Sequence, residues 1–305
     1  MANKNNEAEV IIDKWKRELI LGSGGFGVVS LWKNNETNER IALKQCRWSS
    51  DNTAITQKHK DRWKQEVDIM NRMNHPSVVK AVKIPEALVT KSDLPILGME
   101  YCSGGDLRKV LNKTENCCGL PEDQVRQILK QIASAIEYLH SLRIIHRDLK
   151  PENVVLQPQT GGKILYKLID LGYAKELDQS SLCSSFVGTL QYLAPELFTS
   201  KQYSSAVDNW SFGLLAHETI TGKRPFLPNM SPAQWIPLVA NKTSSDICAY
   251  VEQNGKVIFS KEISSFNQIS SSLKYNMENW LRMVLEWNPK QRGGKFAFQF
   301  LAEIL

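Results

Sequence analysis

The chain has 305 residues, 42% of them hydrophobic and 23% charged, with a formal net charge of +6. That balance excludes a disordered chain and provides for a large core, as in a catalytic unit built from two lobes. With no block of consecutive Lys or Arg, the mild basicity suits phosphorylated small molecules or acidic peptides rather than nucleic acid, and no apolar run approaches a membrane span. Cys46, Cys102, Cys117, Cys118, Cys183 and Cys248 form no C-x-x-C pair. Together with a polar start that lacks the apolar stretch of a signal peptide, this points to a reducing, cytoplasmic setting.

The opening is expected to fray to about Asp13. Leu19-Ile20-Leu21, the turn Gly22-Ser23-Gly24-Gly25-Phe26-Gly27 and Val28-Val29-Ser30-Leu31-Trp32 predict strand, glycine turn and strand. Ile41-Ala42-Leu43-Lys44 adds a third strand, so the start is an antiparallel meander. Gly22, Gly24 and Gly27 fit G-x-G-x-x-G, yet no helix pattern follows, against a dinucleotide fingerprint, and no G-K-[ST] follows, against a Walker loop. The hairpin either covers a nucleotide's phosphates or is an ordinary glycine turn.

From Lys60 to Met73 the residues Trp63, Val67, Ile69, Met70 and Met73 share one helical face, and Glu66 projects into its middle. A carboxylate there needs a partner, and Lys44 at the end of its strand is the natural one. Val78 to Val82 and Ile96 to Tyr101 predict two more strands. Met99-Glu100-Tyr101-Cys102 then runs into Ser103-Gly104-Gly105-Asp106, where the chain leaves the first lobe. Asp106 either accepts from a ribose hydroxyl or caps the helix Leu107 to Leu111.

From Pro121 the pattern is mainly helical, beginning with Val125, Ile128, Leu129, Ile132, Ala135, Ile136 and Leu139. That helix delivers the stretch His146-Arg147-Asp148-Leu149-Lys150-Pro151-Glu152-Asn153, a carboxylate, an ammonium and a carboxamide on one polar loop before Val154-Val155-Leu156. Asp170 ends the next apolar strand and needs compensation; bound Mg²⁺ would supply it, with Asn153 as second ligand. Ser180 to Ser185 is a polar loop before Gly188-Thr189 and Ala194-Pro195-Glu196. The stretch from Asp208 to Ala216 is apolar nearly all round, which marks a buried central helix. Asp208 is expected to hold the backbone of the His146–Asn153 loop, and Arg292 to pair with Glu196. Trp235 to Tyr275 is expected to form surface helices and loops.

Taken in order, the glycine loop, Lys44, Glu66, the Asp148 loop, Asp170-Leu171-Gly172, Ala194-Pro195-Glu196, Asp208 and Arg292 resemble the motif series of eukaryotic protein kinases over almost the whole chain. Leu171 stands where the family pattern has Phe. Lys150, two residues after Asp148, resembles the Ser/Thr class. Met99-Glu100-Tyr101-Cys102, Glu115-Asn116-Cys117-Cys118-Gly119-Leu120, Asp170 to Asp178, Ser181-Leu182-Cys183-Ser184-Ser185 and Phe186 to Glu196 resemble the catalytic subunits of IκB kinase.

The resemblance implies an α+β, bilobal protein kinase fold: a small antiparallel N-lobe with one main helix (14–101), a larger, mostly helical C-lobe (102–305) and an activation segment (170–196). It implies ATP and Mg²⁺ as cofactors, with adenine against Leu21, Val29, Ala42 and Val155 and bonded to the backbone of Glu100 and Cys102, and Met99 behind it. Lys44, oriented by Glu66, would hold the phosphates, and Asn153 and Asp170 the metal. Asp148 would be the base and Lys150 its partner at the γ-phosphoryl group. Ser181 and Ser185 would be activation phosphosites, read by Arg147 or Lys175 after an upstream kinase or a second copy modifies them. The implied substrates are paired serines of IκB-type inhibitors in NF-κB and innate-immune signalling. The regulatory subunit and dimer expected for the family depend on regions beyond Leu305. A nucleotide-binding scaffold without turnover is the rival reading, as is a related Ser/Thr kinase with other substrates.

Overall fold

A computed structural model describes residues 10–23, 27–46, 57–89, 94–176, 190–199, 203–227, 230–252 and 254–305. The chain divides into two compact units, residues 1–103 and 104–305.

The first unit carries a five-stranded antiparallel sheet in chain order. Its strands are β1 (Ile11–Ile12), β2 (Trp15–Ser23), β3 (Gly27–Asn34), β4 (Arg40–Cys46) and β5 (Leu97–Glu100). β1 pairs Ile11 with Lys16 and Ile12 with Trp15, so the chain is paired two residues before the expected fraying point. One face buries Trp15, Trp32, Ile41, Leu43 and Leu88 as a cluster. Trp32 stays wholly inside because its indole N–H finds Ser30 Oγ at 2.9 Å. Asn34 Oδ1 accepts from the amides of Glu36 and Thr37, an Asx turn that closes the β3–β4 hairpin.

Between β4 and β5 lies α1 (Gln57–Arg72), with Trp63, Val67, Ile69 and Met70 buried. The segment from Val78 to Val82 is not a regular strand. It joins β5 through an Ala81–Met99 bridge and two amide bonds, Val82 N to Gly98 O and Glu100 N to Lys80 O. A proline on each side, Pro76 and Pro85, removes donors and bends the chain there.

The second unit is mainly helical. Its helices are α2 (Leu107–Leu111), α3 (Glu122–Ser141), α4 (Glu196–Thr199), α5 (Ala206–Thr221), α6 (Pro232–Val239), α7 (Ser271–Val284) and α8 (Gly294–Ile304). α5 is buried at every position and forms the centre, so its sequence has no polar face. Trp210 stacks on Phe226 and Phe212 meets Trp280 edge-on, at ring distances of 5.5 and 5.3 Å. Gly222, at φ 72°, ends the helix in the left-handed region that a side chain disfavours.

Among the described residues this unit also has three two-stranded ribbons: β6 (Ile144–Ile145) with β9 (Lys175–Glu176), β7 (Val154–Pro158) with β8 (Ile164–Leu168), and β10 (Cys248–Val251) with β11 (Val257–Ser260). The β10–β11 hairpin corrects the expectation of helices and loops alone between Trp235 and Tyr275. Its strands are four residues each, too short for their alternation to stand out in a serine-rich stretch. Ala249 nevertheless anchors it in the core at 3% exposure. α8 is likewise absent from the sequence reading; Phe298 and Leu301 pack it down, and its Ala297 carbonyl accepts from the Trp280 indole at 2.9 Å.

Among the described residues no helix is long and apolar enough to cross a membrane.

Candidate active site

The loop after β6 is fixed from beneath by α5. Asp208, in the first turn of that helix, is fully buried. Its Oδ2 accepts from the amide of His146 and its Oδ1 from the amide of Arg147, both at 2.9 Å. His140 Nε2, in the last turn of α3, meets Oδ2 at 2.8 Å. Burial alone would raise the pKa of Asp208, but the hydrogen bond and charge of His140, the charge of His146 and the Arg147 amide override it and hold the carboxyl below its ordinary value. Arg147 sits at φ +69°, a left-handed conformation that is costly for a residue with a side chain. The two bonds to Asp208 compensate that strain.

The bend turns the next side chains together. Asp148 is 3% exposed, and its amide donates to His146 Nδ1 at 3.2 Å. Lys150 Nζ donates to Asp148 Oδ2 at 2.7 Å. Asn153 Nδ2 donates to the same oxygen at 2.9 Å and to the Asp148 carbonyl at 2.8 Å. The carboxylate is therefore oriented by an ammonium and an amide from its own loop. His146 Nε2 faces the Ile169 carbonyl at 3.1 Å, which ties the loop to the end of β8.

β7 and β8 bring Asp170 beside this loop. Their ladder pairs Val154 with Leu168, and one residue further Ile169 N donates to Asn153 O at 3.0 Å. Asp170 is also left-handed, at φ +63°, and its Oδ1 accepts from Gly172 N at 3.3 Å. Leu171 is 2% exposed and forms the apolar plug. Asn153, with its nitrogen committed to Asp148, leaves its amide oxygen as an acceptor. A carboxylate and an amide oxygen on adjacent strand ends are the hard donors that a divalent cation takes. Among the described residues no three His, Cys, Asp or Glu side chains form a metal cluster.

Asp106 caps α2, its carboxylate accepting from Lys109 N at 2.9 Å, and bridges to Val155 on β7. Further along, Arg292 and Glu196 form a buried fork, with Nη1–Oε1 at 2.7 Å and Nη2–Oε2 at 3.1 Å. Arg292 also donates to the Ala206, Glu286 and Trp287 carbonyls and covers the face of Trp210 at 5.0 Å. Arg147 is 6% exposed; its guanidinium donates to the Tyr203 hydroxyl and to the Ala174 carbonyl. Ser181 and Ser185 lie outside the described residues, as does Gly24.

Within the first unit, Lys44 on β4 is ion-paired with Glu66 on α1, at side-chain exposures of 12% and 5%. The ammonium also lies 5.9 Å from the Trp63 ring centre. Ala42 pairs with Met99 across β4 and β5, and both are buried. Leu21 is 40% exposed, and Val29 and Cys102 complete the apolar set. Glu100 already uses its amide on Lys80 O, so a ligand would have to use its carbonyl. The two described glycines of the turn differ. A Cβ on Gly27 would lie 2.5 Å from the Gln45 carbonyl, while one on Gly22 would meet nothing within 4 Å. Gly27 is thus required by strand packing.

Sequence reasoning missed His140, His146, Tyr203, Arg108, Tyr192 and Glu218. His140 ends the recognised helix and His146 opens the recognised loop, but neither was given a role, because a histidine in a helix end or loop has no spacing that marks it. The other four meet partners 26 to 110 residues away, which no local pattern encodes.

A two-unit chain with this loop, this strand-end Asp and this lysine–glutamate pair defines a protein kinase. Residues 15–302 match the protein kinase domain family model, and the chain belongs to that family. It is 54% identical to inhibitor of nuclear factor kappa-B kinase subunit alpha of Gallus gallus and 53% identical to subunit beta of Bos taurus, each over 92% of this chain and 36% of the relative. Subunit alpha of Danio rerio is 50% identical over 93% of the chain and 37% of the relative. The chain thus spans a little over a third of the length of these relatives.

Proposed function

We propose that the chain is an ATP-dependent serine/threonine kinase of the IκB kinase type. The observation that carries this reading is the Asp148 carboxylate, buried, oriented by Lys150 and Asn153, and set on a loop anchored to Asp208.

In this reading the serine hydroxyl of a protein substrate donates to Asp148. Its oxygen attacks the γ-phosphorus of ATP, the bond to the β,γ-bridging oxygen breaks, and the hydroxyl proton passes to the carboxylate as ADP leaves. Lys150, 2.7 Å from that carboxylate, balances charge on the moving phosphoryl group. Lys44, held by Glu66, takes the nucleotide phosphates. Leu21, Gly22, Gly24, Gly27, Val29, Ala42, Met99, Glu100, Cys102, Asp106 and Val155 form its binding set. Asn153 and Asp170 would hold Mg²⁺, which when bound would neutralise phosphate charge. Positioning and electrostatics carry the rate, and no covalent enzyme intermediate is needed.

IκB-type inhibitors with paired serines are the proposed substrates, supported by the names of the relatives. Regulation by phosphorylation of Ser181 and Ser185, association with a regulatory subunit and a dimer follow from the same likeness. A cytoplasmic setting is supported by the cysteines: among the described residues Cys46, Cys102, Cys117, Cys118 and Cys248 form no disulfide.

The test is phosphate transfer from ATP to a peptide with paired serines, comparing the wild type with Asp148→Asn and with Ser181→Ala/Ser185→Ala. Asp148→Asn is expected to lower turnover by about 10²- to 10⁴-fold with the fold intact. Wild-type turnover in that variant would remove the assigned role, and nucleotide binding without transfer in the wild type would favour a scaffold.

A further inference from the structure

The starts of α5 and α8 meet at a cavity of about 400 Å³ within the second unit. Ser204, Ser205, Ala206 and Asn209 line it from α5, and residues 289–294 line it from the entry to α8. The two helices have 16 and 11 residues, and both begin without a side-chain cap. The Ser205 hydroxyl takes no amide of α5, and Gly293 has no side chain to offer α8. Each helix therefore turns an uncapped, positive end toward the cavity.

Nothing in the lining offsets these ends. None of the lining residues is acidic. The charge of Arg292 is already met by the buried fork with Glu196. Lys290 is exposed and has no ion pair among the described residues. A helix start counts for about half a positive charge, so with Lys290 the cavity faces about two. A phosphomonoester carries about −1.5 to −2 near neutral pH, more than a carboxylate can bring.

A second observation lies one turn into α5. Asn209 lines the cavity at 3% exposure, and its amide oxygen has no hydrogen-bond partner among the described residues. A buried acceptor of this kind needs a donor. The oxygens of a phosphate dianion cannot supply one, but a hydroxyl beside the phosphate can. The volume is far more than the roughly 30 Å³ of one water and falls within the range of about 300–1,000 Å³ of small-molecule sites.

We propose that this cavity binds a small hydroxylated phosphomonoester of the sugar phosphate class. The phosphate lies between the two helix starts and Lys290, and a hydroxyl of the sugar donates to Asn209 Oδ1. Asp208 stands two residues after Ala206, so the ligand braces the same turn of α5 that anchors the Asp148 loop.

The experiment is calorimetric titration of the full chain at constant ionic strength with glucose 6-phosphate, inorganic phosphate and glucose, beside thermal unfolding of each variant. Glucose 6-phosphate is expected to bind the wild type at least about fivefold more tightly than inorganic phosphate, and glucose not at all, as one hydrogen bond added to a charge-assisted set would give. Lys290→Gln should weaken both phosphates by about fivefold. Ser205→Asp should weaken both by at least about tenfold, because its carboxylate occupies the α5 start, while the ligand-free chain melts no lower, since Asp is a good capping residue. Damage to the fold would not separate those two readouts. Asn209→Ala should abolish the preference for glucose 6-phosphate over inorganic phosphate. No binding of glucose 6-phosphate to the wild type would overturn the proposal. So would unchanged affinity in both Lys290→Gln and Ser205→Asp, which would place the phosphate elsewhere, as beside Lys44. Equal wild-type affinity for the two phosphates would overturn the sugar phosphate assignment. If Asn209→Ala does not fold, the other two variants and the wild-type preference decide.

Discussion

Asp208 and Glu66 are both carboxylates inside an apolar core, and they are compensated in different currencies. Asp208 is bonded to two backbone amides and a histidine, 0% exposed. Glu66 is ion-paired with a side chain, Lys44. Backbone amides cannot leave, so Asp208 fixes the path of a loop. A lysine has four rotatable carbons and strong hydration, so Glu66 fixes one cation against a constant pull from solvent. On the proposed function, the first arrangement builds the fold around the reaction site and the second poises a group for a ligand.

Removal of the anchor should have the largest effect. Asp208→Ala leaves the His146 and Arg147 amides buried without acceptors and Arg147 in an uncompensated left-handed turn. A loss of about 3–5 kcal/mol in unfolding free energy is expected, as for breaking a buried charged network. Denaturant titration measures it. A loss near zero would mean that the loop holds its own shape.

Acid should separate the buried groups next. His217, on the same helix as Asp208, is 5% exposed, with Nδ1 toward the Lys223 carbonyl at 2.8 Å and Nε2 without a hydrogen-bond partner among the described residues. Burial lowers its pKa to about 4. The unfolded chain therefore takes up this proton first. The stability from His217 is complete above its ordinary pKa of 6.5 and falls as the pH drops toward about 4, by roughly 3 kcal/mol. Asp208 is depressed, so its share is lost only in stronger acid, below its ordinary 3.8. His217→Gln should flatten stability between these two values and leave the lower limb. A slope that survives there would point to another group.

Glu66→Gln should cost less in stability, about 1–3 kcal/mol, because the shape is kept and only the charge pairing is lost. Its mark should be on the nucleotide: a higher KM for ATP and slower transfer in the same assay. If ATP kinetics were unchanged while stability fell, Lys44–Glu66 would be a packing pair and the contrast with Asp208 would collapse.

The two carboxylates also differ in how far the sequence revealed them. Glu66 stood out because helical spacing put a charge in the middle of five apolar residues, and Lys44 was the cation at the end of a strand. Asp208 stood out because the helix around it had no polar face. Each signal is a polar residue where periodicity demands an apolar one. Where periodicity is short or absent, the reading ran out. The β10–β11 hairpin has four residues per strand, and the stretch from Val78 to Val82 pairs with β5 only in part. Arg108, Tyr192 and Glu218 are unremarkable in their own segments, and only tertiary structure brings them together.

Asp106 sharpens the comparison at the smallest scale, because two readings of its carboxylate stood level and each predicts a different number. As observed, its side chain accepts from Lys109 N at 2.9 Å and caps α2. Asp106→Ala should therefore cost about 1 kcal/mol in stability. Asp106→Ser restores a capping oxygen and should recover most of that. If the carboxylate also receives a ribose hydroxyl, Asp106→Ser should still raise the KM for ATP, since a serine oxygen is set nearer the backbone and carries no charge. Recovery of both stability and KM in Asp106→Ser would leave capping as its whole role. Recovery of stability alone would give one carboxylate a structural and a ligand-facing duty, which neither Asp208 nor Glu66 combines.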